Sequence, residues 1–307
     1  MNVNAKNNLH SILVLGAGEL GMAMLRSLAN TTGTRVSVLL RSSTIESSNP
    51  EKVAHIQQIR DLGIGLVAGD LVDESIGTLA NCFAPFDTVI CCTGFIAGSG
   101  TQIKITQAVL EARVKRYVPW QFGVDYDLVG KGSGQTTWDE QLDVRAMLRG
   151  QNSTEWVIVS TGMFTSYLFD PAFGIVNFSD NSVNALGAWD NAVTLTTPDD
   201  IGVLTREILL VQPRLVNQVV YTAGETITYQ QLADLLDKVL GKKVKRIAWS
   251  LAKLSQDLAN SPEDIVAKYR VAFAKGKGVS WPMEQSFNVQ HNIPLTNVEQ
   301  WLQRNHK

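Results

Sequence analysis

Cysteine is scarce in this chain: Cys82, Cys91 and Cys92 are the three among 307 residues, and none stands in a CxxC pair. With no histidine cluster nearby, they support neither a disulfide framework nor a zinc site, and Cys91 and Cys92 read as core thiols. His10, His55, His291 and His306 lie at scattered positions without a metal-ligand partner in sequence, so no metal is expected. Long apolar runs are missing too. No segment approaches the roughly 18 apolar residues of a membrane span. The start, residues 1–10, is polar and asparagine-rich, without the apolar stretch of a signal peptide. The expectation is a cytoplasmic protein that does not engage a membrane. Nor is charge one-sided, with 27 Lys and Arg against 29 Asp and Glu, a formal net charge of −2, and no basic cluster. That balance does not favour nucleic acid as a partner, and a small-molecule substrate is expected instead.

What the chain does have is the content of an ordinary packed protein, 45% hydrophobic, with length for about two domains. Its most informative stretch is Ser11-Ile12-Leu13-Val14-Leu15-Gly16-Ala17-Gly18-Glu19-Leu20-Gly21, a buried strand running into a glycine turn and a helix. Gly16 suits the sharp bend, Gly18 leaves room for a pyrophosphate, and Gly21 lets the helix pack close on the sheet. Leu20, Met24, Leu25 and Leu28 follow at helical spacing, and Arg35-Val36-Ser37-Val38-Leu39-Leu40 reads as a second strand, which completes a βαβ unit. The plain alternative is a glycine turn with no ligand. Glu19 suits a helix dipole but repels a pyrophosphate, so it is expected to point to solvent.

Arg41 ends the second strand about 20 residues after the last glycine, where an NAD site would carry an acid for the ribose hydroxyls. A guanidinium fork suits a 2′-phosphate, so the cofactor expected is NADP(H), with Ser42, Ser43 and Thr44 as further hydroxyl donors. A solvated loop arginine is the competing reading.

Further strands are expected at residues 64–68, 87–92, 114–119 and 156–160, alternating with helices at 51–62, 73–81, 102–112 and 138–149, the second capped by Asp73. Strands and helices in alternation make a parallel sheet, so the fold class is α/β, a doubly wound Rossmann-type sheet. Thr93, Gly94 and Phe122 follow strand ends at the carboxyl edge, where such sheets place ligands. They join Gly16, Gly18, Glu19, Leu20, Gly21 and Arg41 as candidate cofactor-binding residues. Residues 124–137 read as a loop, and the pattern loosens after Thr161 into an irregular region that includes the polar run 179–184. The expected division is a nucleotide-binding domain at 1–160 and a smaller substrate-binding region at 161–307 that partly returns to the sheet. In that region a helix is expected over 199–210, a strand over 218–221, an amphipathic helix over 229–240 closed by Gly241, and helices near 251–259 and 262–274.

Taken in order, several segments resemble the NmrA-like and isoflavone reductase-like group of atypical short-chain dehydrogenases. Leu39-Leu40-Arg41 after the glycine turn is similar to that group's NADPH-binding start. Val114-Lys115-Arg116-Tyr117-Val118-Pro119-Trp120-Gln121-Phe122-Gly123 is similar to its VKRF-P-S-E-F-G segment. Asp199-Asp200-Ile201-Gly202, Pro213-Arg214-Leu215-Val216-Asn217 and Tyr229-Gln230-Gln231-Leu232 match later stretches. The resemblance implies a Rossmann sheet with a smaller C-terminal domain and a cleft between them. Two departures bear on activity. The group's reductases carry a lysine in K-x-x-I/V-R, and here Gln141 of Gln141-Leu142-Asp143-Val144-Arg145 stands in its place; glutamine is neither a general acid nor a base. Trp120 replaces the group's serine and puts a large ring near the nicotinamide end. The Tyr-x-x-x-Lys pair of common short-chain dehydrogenases is also absent.

The catalytic set is therefore Gln141 with Lys131 and Tyr167, drawn from a wider group that includes Asp125, Tyr126, Asp127, Asp139 and Glu140. Trp120, Phe122, Phe164 and Tyr167 would supply an aromatic wall for a flat apolar substrate. Two functions follow: an NADPH-dependent oxidoreductase of a small aromatic or conjugated carbonyl-type substrate, or a non-catalytic NADP-binding sensor that acts through a protein partner.

Overall fold

The computed structural model describes residues 10–95 and 98–306; residues 1–9 of the polar start lie outside them. Its strands are β1 (His10–Leu15), β2 (Thr34–Leu40), β3 (Gly65–Ala68), β4 (Thr88–Cys91), β5 (Arg116–Val118), β6 (Glu155–Ser160), β7 (Met163–Phe164), β8 (Val176–Asn177), β9 (Ser182–Leu186), β10 (Ala192–Thr196), β11 (Gln218–Tyr221), β12 (Glu225–Thr228) and β13 (Lys245–Trp249). The chain divides into two compact units that interleave in sequence. One takes residues up to Trp120 with Asp143–Ile158 and Ile201–Val219; the other takes Gln121–Leu142, Val159–Asp200 and Val220–Lys307.

Among the described residues seven strands form one sheet in the order β11-β6-β5-β4-β1-β2-β3. The pairs β1–β2, β1–β4, β2–β3, β4–β5 and β5–β6 are parallel. Strand β1 lies between β2 and β4, so the order reverses beside it, the point where doubly wound sheets bind ligands. Ile12, Leu13, Val14 and Leu15 are all buried, as a strand covered on both faces requires. Leu13, Leu15, Leu39, Val89, Cys91, Tyr117 and Ile158 from the sheet pack with Leu79, Phe83, Ile105 and Val109 from helices in one core.

Local chemistry sets the helix ends. Asn49 caps Pro50–Asp61 by accepting from the Glu51 and Lys52 amides. The next helix starts later than its sequence suggests, at Ile76–Phe83, and its cap is Ser75, whose hydroxyl accepts from Thr78 N, not Asp73. Asp73 instead gives its own amide to Asp70. Thr228 and Gln231 form a capping box for Tyr229–Leu240, which Gly241 closes in the left-handed region.

The stretch read as irregular after Thr161 holds ordered sheet. Two three-stranded sheets, β12-β10-β7 and β13-β9-β8, lie in the second unit. Ser182 to Leu186 is buried at every position although Ser182 and Asn184 are polar, because Asn184 Nδ2 donates to Gly174 O at 2.6 Å and Asn184 N to Ile175 O at 2.7 Å. Thr194 and Thr196 of β10 are likewise buried and satisfied, by Thr226 Oγ1 and Thr161 O at 2.8 Å each. A helix at Val298–Asn305, absent from the sequence reading, places Trp301 on Phe169, 4.7 Å between ring centres. No helix among the described residues is long and apolar enough to cross a membrane.

At the amino edge of the main sheet, Asp87 ties three strand starts. Its Oδ2 accepts from Ser11 N at 2.9 Å and Ser11 Oγ at 2.8 Å, and its Oδ1 accepts from Lys115 Nζ at 2.6 Å. Partial burial pushes this carboxyl up, but Lys115 and the two Ser11 donors outweigh it and hold it well below the usual range. A depressed folded pKa stabilises the fold above the unfolded value of about 4 and ceases to do so as pH falls through the folded value. Asp87→Asn should cost about 2 kcal/mol at pH 7 in urea unfolding, and its deficit should shrink below about pH 4. A deficit constant from pH 7 to pH 3 would contradict this.

Candidate functional site

In the first unit, β1 runs into Gly16, whose φ of +88° and amide bond to Leu39 O at 3.2 Å make the bend. A Cβ on Gly16 would lie 2.9 Å from Thr93 Cγ2, so the first turn touches the loop after β4. Gly18 is the N-cap of the helix Glu19–Leu28, with no side-chain cap, and a Cβ built on it meets nothing within 4 Å. Gly21 is the opposite case. A Cβ there would lie 2.3 Å from Gly16 O, a distance that only glycine permits. Glu19 is exposed, as expected, while the Leu20 side chain is buried, so Leu20 can offer a ligand only its backbone. The first-turn amides of this helix have no partner within it, which suits a helix N-terminus to an anion.

Arg41 follows β2 directly. Its Nε lies 3.0 Å from Asp70 Oδ2, and its side chain stays 58% exposed. The register that pairs Leu40 with Ala68, continued by Gly69 N to Leu40 O at 3.0 Å, brings the two residues together. Asp70 Oδ1 accepts from Val72 N at 2.8 Å and Asp73 N at 3.2 Å. The Val72 amide is the largest influence holding this carboxyl below its ordinary value, against slight desolvation and with help from the Asp73 amide, Arg41 and Lys104. Asp70 was not among the sequence candidates. Its signal was an acid at the end of the strand beside the one that carries Arg41.

Thr93 and Gly94 leave β4 beside the glycine turn. Thr93 Oγ1 is 3.3 Å from Cys91 Sγ, and Gly94 O accepts from Gln102 Nε2 at 2.7 Å. Gly94 has φ of +63°, and the Trp120 indole lies 3.5 Å from where its Cβ would be. The same indole meets Phe95 edge-on at 4.3 Å, so Trp120 shields this loop.

The remaining candidates belong to the second unit. Phe122 is buried, and the next carbonyl, Gly123 O, accepts from Thr161 N at 2.9 Å and Gly162 N at 3.0 Å. Residues 124–137 are not wholly loop, because Asp125 caps a short helix, Tyr126–Val129, through the Asp127 and Leu128 amides. Asp125 Oδ2 also accepts from Tyr221 OH at 2.7 Å, a pair the sequence did not signal. Lys131 is exposed on a loop in which Gly130, Gly132 and Gly134 all have positive φ. Lys275 Nζ holds that loop by donating to Ser133 O at 2.6 Å, and Asp139 accepts from Gly132 N at 3.0 Å.

Gln141 lies inside the helix Thr136–Arg149 with no exposed surface, and neither its Oε1 nor its Nε2 has a hydrogen-bond partner among the described residues. Its backbone carbonyl accepts from Gln121 Nε2 at 2.9 Å. Tyr167 is 38% exposed and sits in a run of rings: 5.6 Å from Phe164 and 5.1 Å from Phe173 between centres. Phe173 continues to Tyr269, and Tyr269 to Trp138, at 5.8 Å each. Trp138 and Gln141 share one helix, so this ladder joins Tyr167 to the element that carries Gln141. Lys131 lies on the loop before that helix. No group of three or more His, Cys, Asp or Glu able to hold a metal occurs among the described residues.

A glycine turn at a reversal of strand order, with a strand-end arginine beside it, defines a Rossmann-type α/β protein. The chain belongs to the NmrA-like family, whose model matches residues 9–302. It is 45% identical over 296 residues to an NmrA-like family domain-containing oxidoreductase of Gibberella moniliformis, covering 95% of this chain and 97% of that protein. It is 28% identical to phenylcoumaran benzylic ether reductase Betv6 of Betula pendula, again over 95% and 97%. Among solved structures, an isoflavone reductase aligns with a TM-score of 0.78 at 22% identity, covering 96% of this chain and 99% of that one. AtPrR2 with NADP+ and (+)pinoresinol aligns with a TM-score of 0.77 at 20% identity, over 96% and 98%. At these identities the structural likeness shows a shared fold.

The glycines separate packing from ligand space. Gly21→Ala forces a methyl onto the Gly16 carbonyl and should cost about 3 kcal/mol or more, whereas Gly18→Val should stay within about 1 kcal/mol of wild type. Urea unfolding of the two variants checks this, and equal losses would contradict it.

Proposed function

We propose that the chain is a cytoplasmic NADPH-dependent reductase of a small, flat aromatic or conjugated carbonyl-type substrate. The observation that carries this reading is the open side of Gly18 at a helix N-terminus, in the same unit as a strand-end arginine. Backbone amides there fit a pyrophosphate, and the Arg41 guanidinium fits a 2′-phosphate. Thr93 and Gly94, in the same unit, complete the proposed cofactor set. Relatives named as an oxidoreductase and as phenylcoumaran benzylic ether reductases, and a shared fold with a protein holding NADP+ and (+)pinoresinol, support the same direction.

When bound, NADPH would supply a hydride. The protein's part is to bind, orient and deliver a proton. Phe164 and Tyr167, partly exposed and stacked, offer a flat apolar face for a ring. Lys131 is the proposed proton donor, since an exposed ammonium on a glycine-rich loop can reach a substrate oxygen. Gln141 gives no proton, and its amide, fully buried and without a hydrogen-bond partner among the described residues, takes no direct part in the proposed step. Loss of acid–base help typically costs 10² to 10⁴ in rate.

The burial of Gln141 at the family's lysine position also favours a second reading, an NADP-binding sensor that works through a protein partner. A panel of aromatic ketones, aldehydes and enones, followed by NADPH absorbance with Gly18→Val as the blank, separates the two. Turnover above the blank, with Lys131→Met lowering kcat about 10²-fold and leaving NADPH affinity unchanged, is the expected result. Tight NADPH binding without turnover, together with a co-purifying protein, would give the sensor reading instead. Gln141→Met should leave Tm unchanged or raise it, because it removes two unsatisfied buried polar atoms at similar volume; a clear fall in Tm would show that the amide is satisfied in the fold.

A further inference from the structure

We propose that Asp70 is a positioning residue for cofactor selection, one that holds the Arg41 guanidinium where a 2′-phosphate would meet it. This rests on the NADPH reading above. Arg41 is a long, mostly exposed side chain, and an exposed arginine left to itself samples many rotamers, so ordering it at the moment of binding weakens binding. Asp70 removes that freedom beforehand. Its own orientation is set by the backbone, because Oδ1 is engaged by Val72 N and Asp73 N, which leaves Oδ2 to face Arg41 Nε at 3.0 Å.

The turn that carries Asp70 is braced from a second element. Lys104, on the helix Thr101–Glu111, donates from Nζ to Val72 O at 2.7 Å. A backbone-anchored carboxylate therefore stands between a braced turn and a flexible cation. The contact engages the Nε side of the guanidinium. The fork carries four more N–H groups on its two Nη atoms, and these match the oxygens of a phosphate.

Asp70 also carries a negative charge, which opposes a phosphate. Positioning and repulsion have opposite signs, so Asp70→Asn decides between them. The side-chain amide can still accept from Val72 N and Asp73 N, which keeps the turn, but it no longer holds a cation.

The test is a fluorescence titration of the full chain with NADPH and NADH, and with 2′,5′-ADP and 5′-AMP as non-redox probes, on wild type, Asp70→Asn, Arg41→Ala and the double variant. Asp70→Asn should weaken NADPH and 2′,5′-ADP by about two- to tenfold and leave NADH and 5′-AMP unchanged. In the Arg41→Ala background it should have no further effect. Unchanged or tighter NADPH binding by Asp70→Asn, or an equal loss for NADH, would overturn the proposal. If Arg41→Ala itself leaves the NADPH to NADH ratio as in wild type, the cofactor reading fails, and the role of Asp70 fails with it.

Discussion

The close approach of Gly21 to the Gly16 carbonyl is the constraint on which the first unit depends. The helix Glu19–Leu28 packs so near the end of β1 that a single methyl would sit 2.3 Å from an oxygen. That contact aims the helix start at the carboxyl edge of the sheet, beside the reversal of strand order around β1. Gly202 meets the same helix in a similar way, since a Cβ there would lie 2.6 Å from Ala23 O. The helix is thus pinned by backbone on two sides, while Gly18 faces open space.

Much of the first unit was legible because its signals are local and redundant. A continuous apolar run in β1, three spaced glycines and a helical repeat all state one answer, and the sheet follows from the alternation. Asp70 was not legible, since its meaning comes from the strand beside it, and lateral register is not written in a single sequence. The Ser75 cap was missed for a related reason. Asp73 is also a good capping residue, and only the bond from its amide to the Asp70 carboxylate shows that it belongs to the preceding turn.

The second unit hid more because its strands are short and carry polar residues inward. Ser182, Asn184, Thr194 and Thr196 alternate with apolar residues, a pattern that marks a half-buried strand, yet both faces are buried here, and Asn184, Thr194 and Thr196 are compensated by hydrogen bonds that only the folded chain supplies. The candidate catalytic residues are similar. Sequence marked Gln141 as a departure, but not that its amide would be enclosed without a partner among the described residues. Tyr167 was marked as aromatic, but not that it would stack into a ladder reaching Trp138. Spacing names residue types, and burial decides what each can do.

The contrast between a pinned helix and an open Gly18 gives the binding reading its physical basis, and Arg41 gives it a direction. A crystal structure of the chain grown with NADP+ tests both at once. The pyrophosphate should lie against the backbone amides that follow Gly18, with the 2′-phosphate on the Arg41 guanidinium. A pyrophosphate held elsewhere, or a 2′-phosphate facing solvent with Arg41 turned away from it, would contradict that assignment.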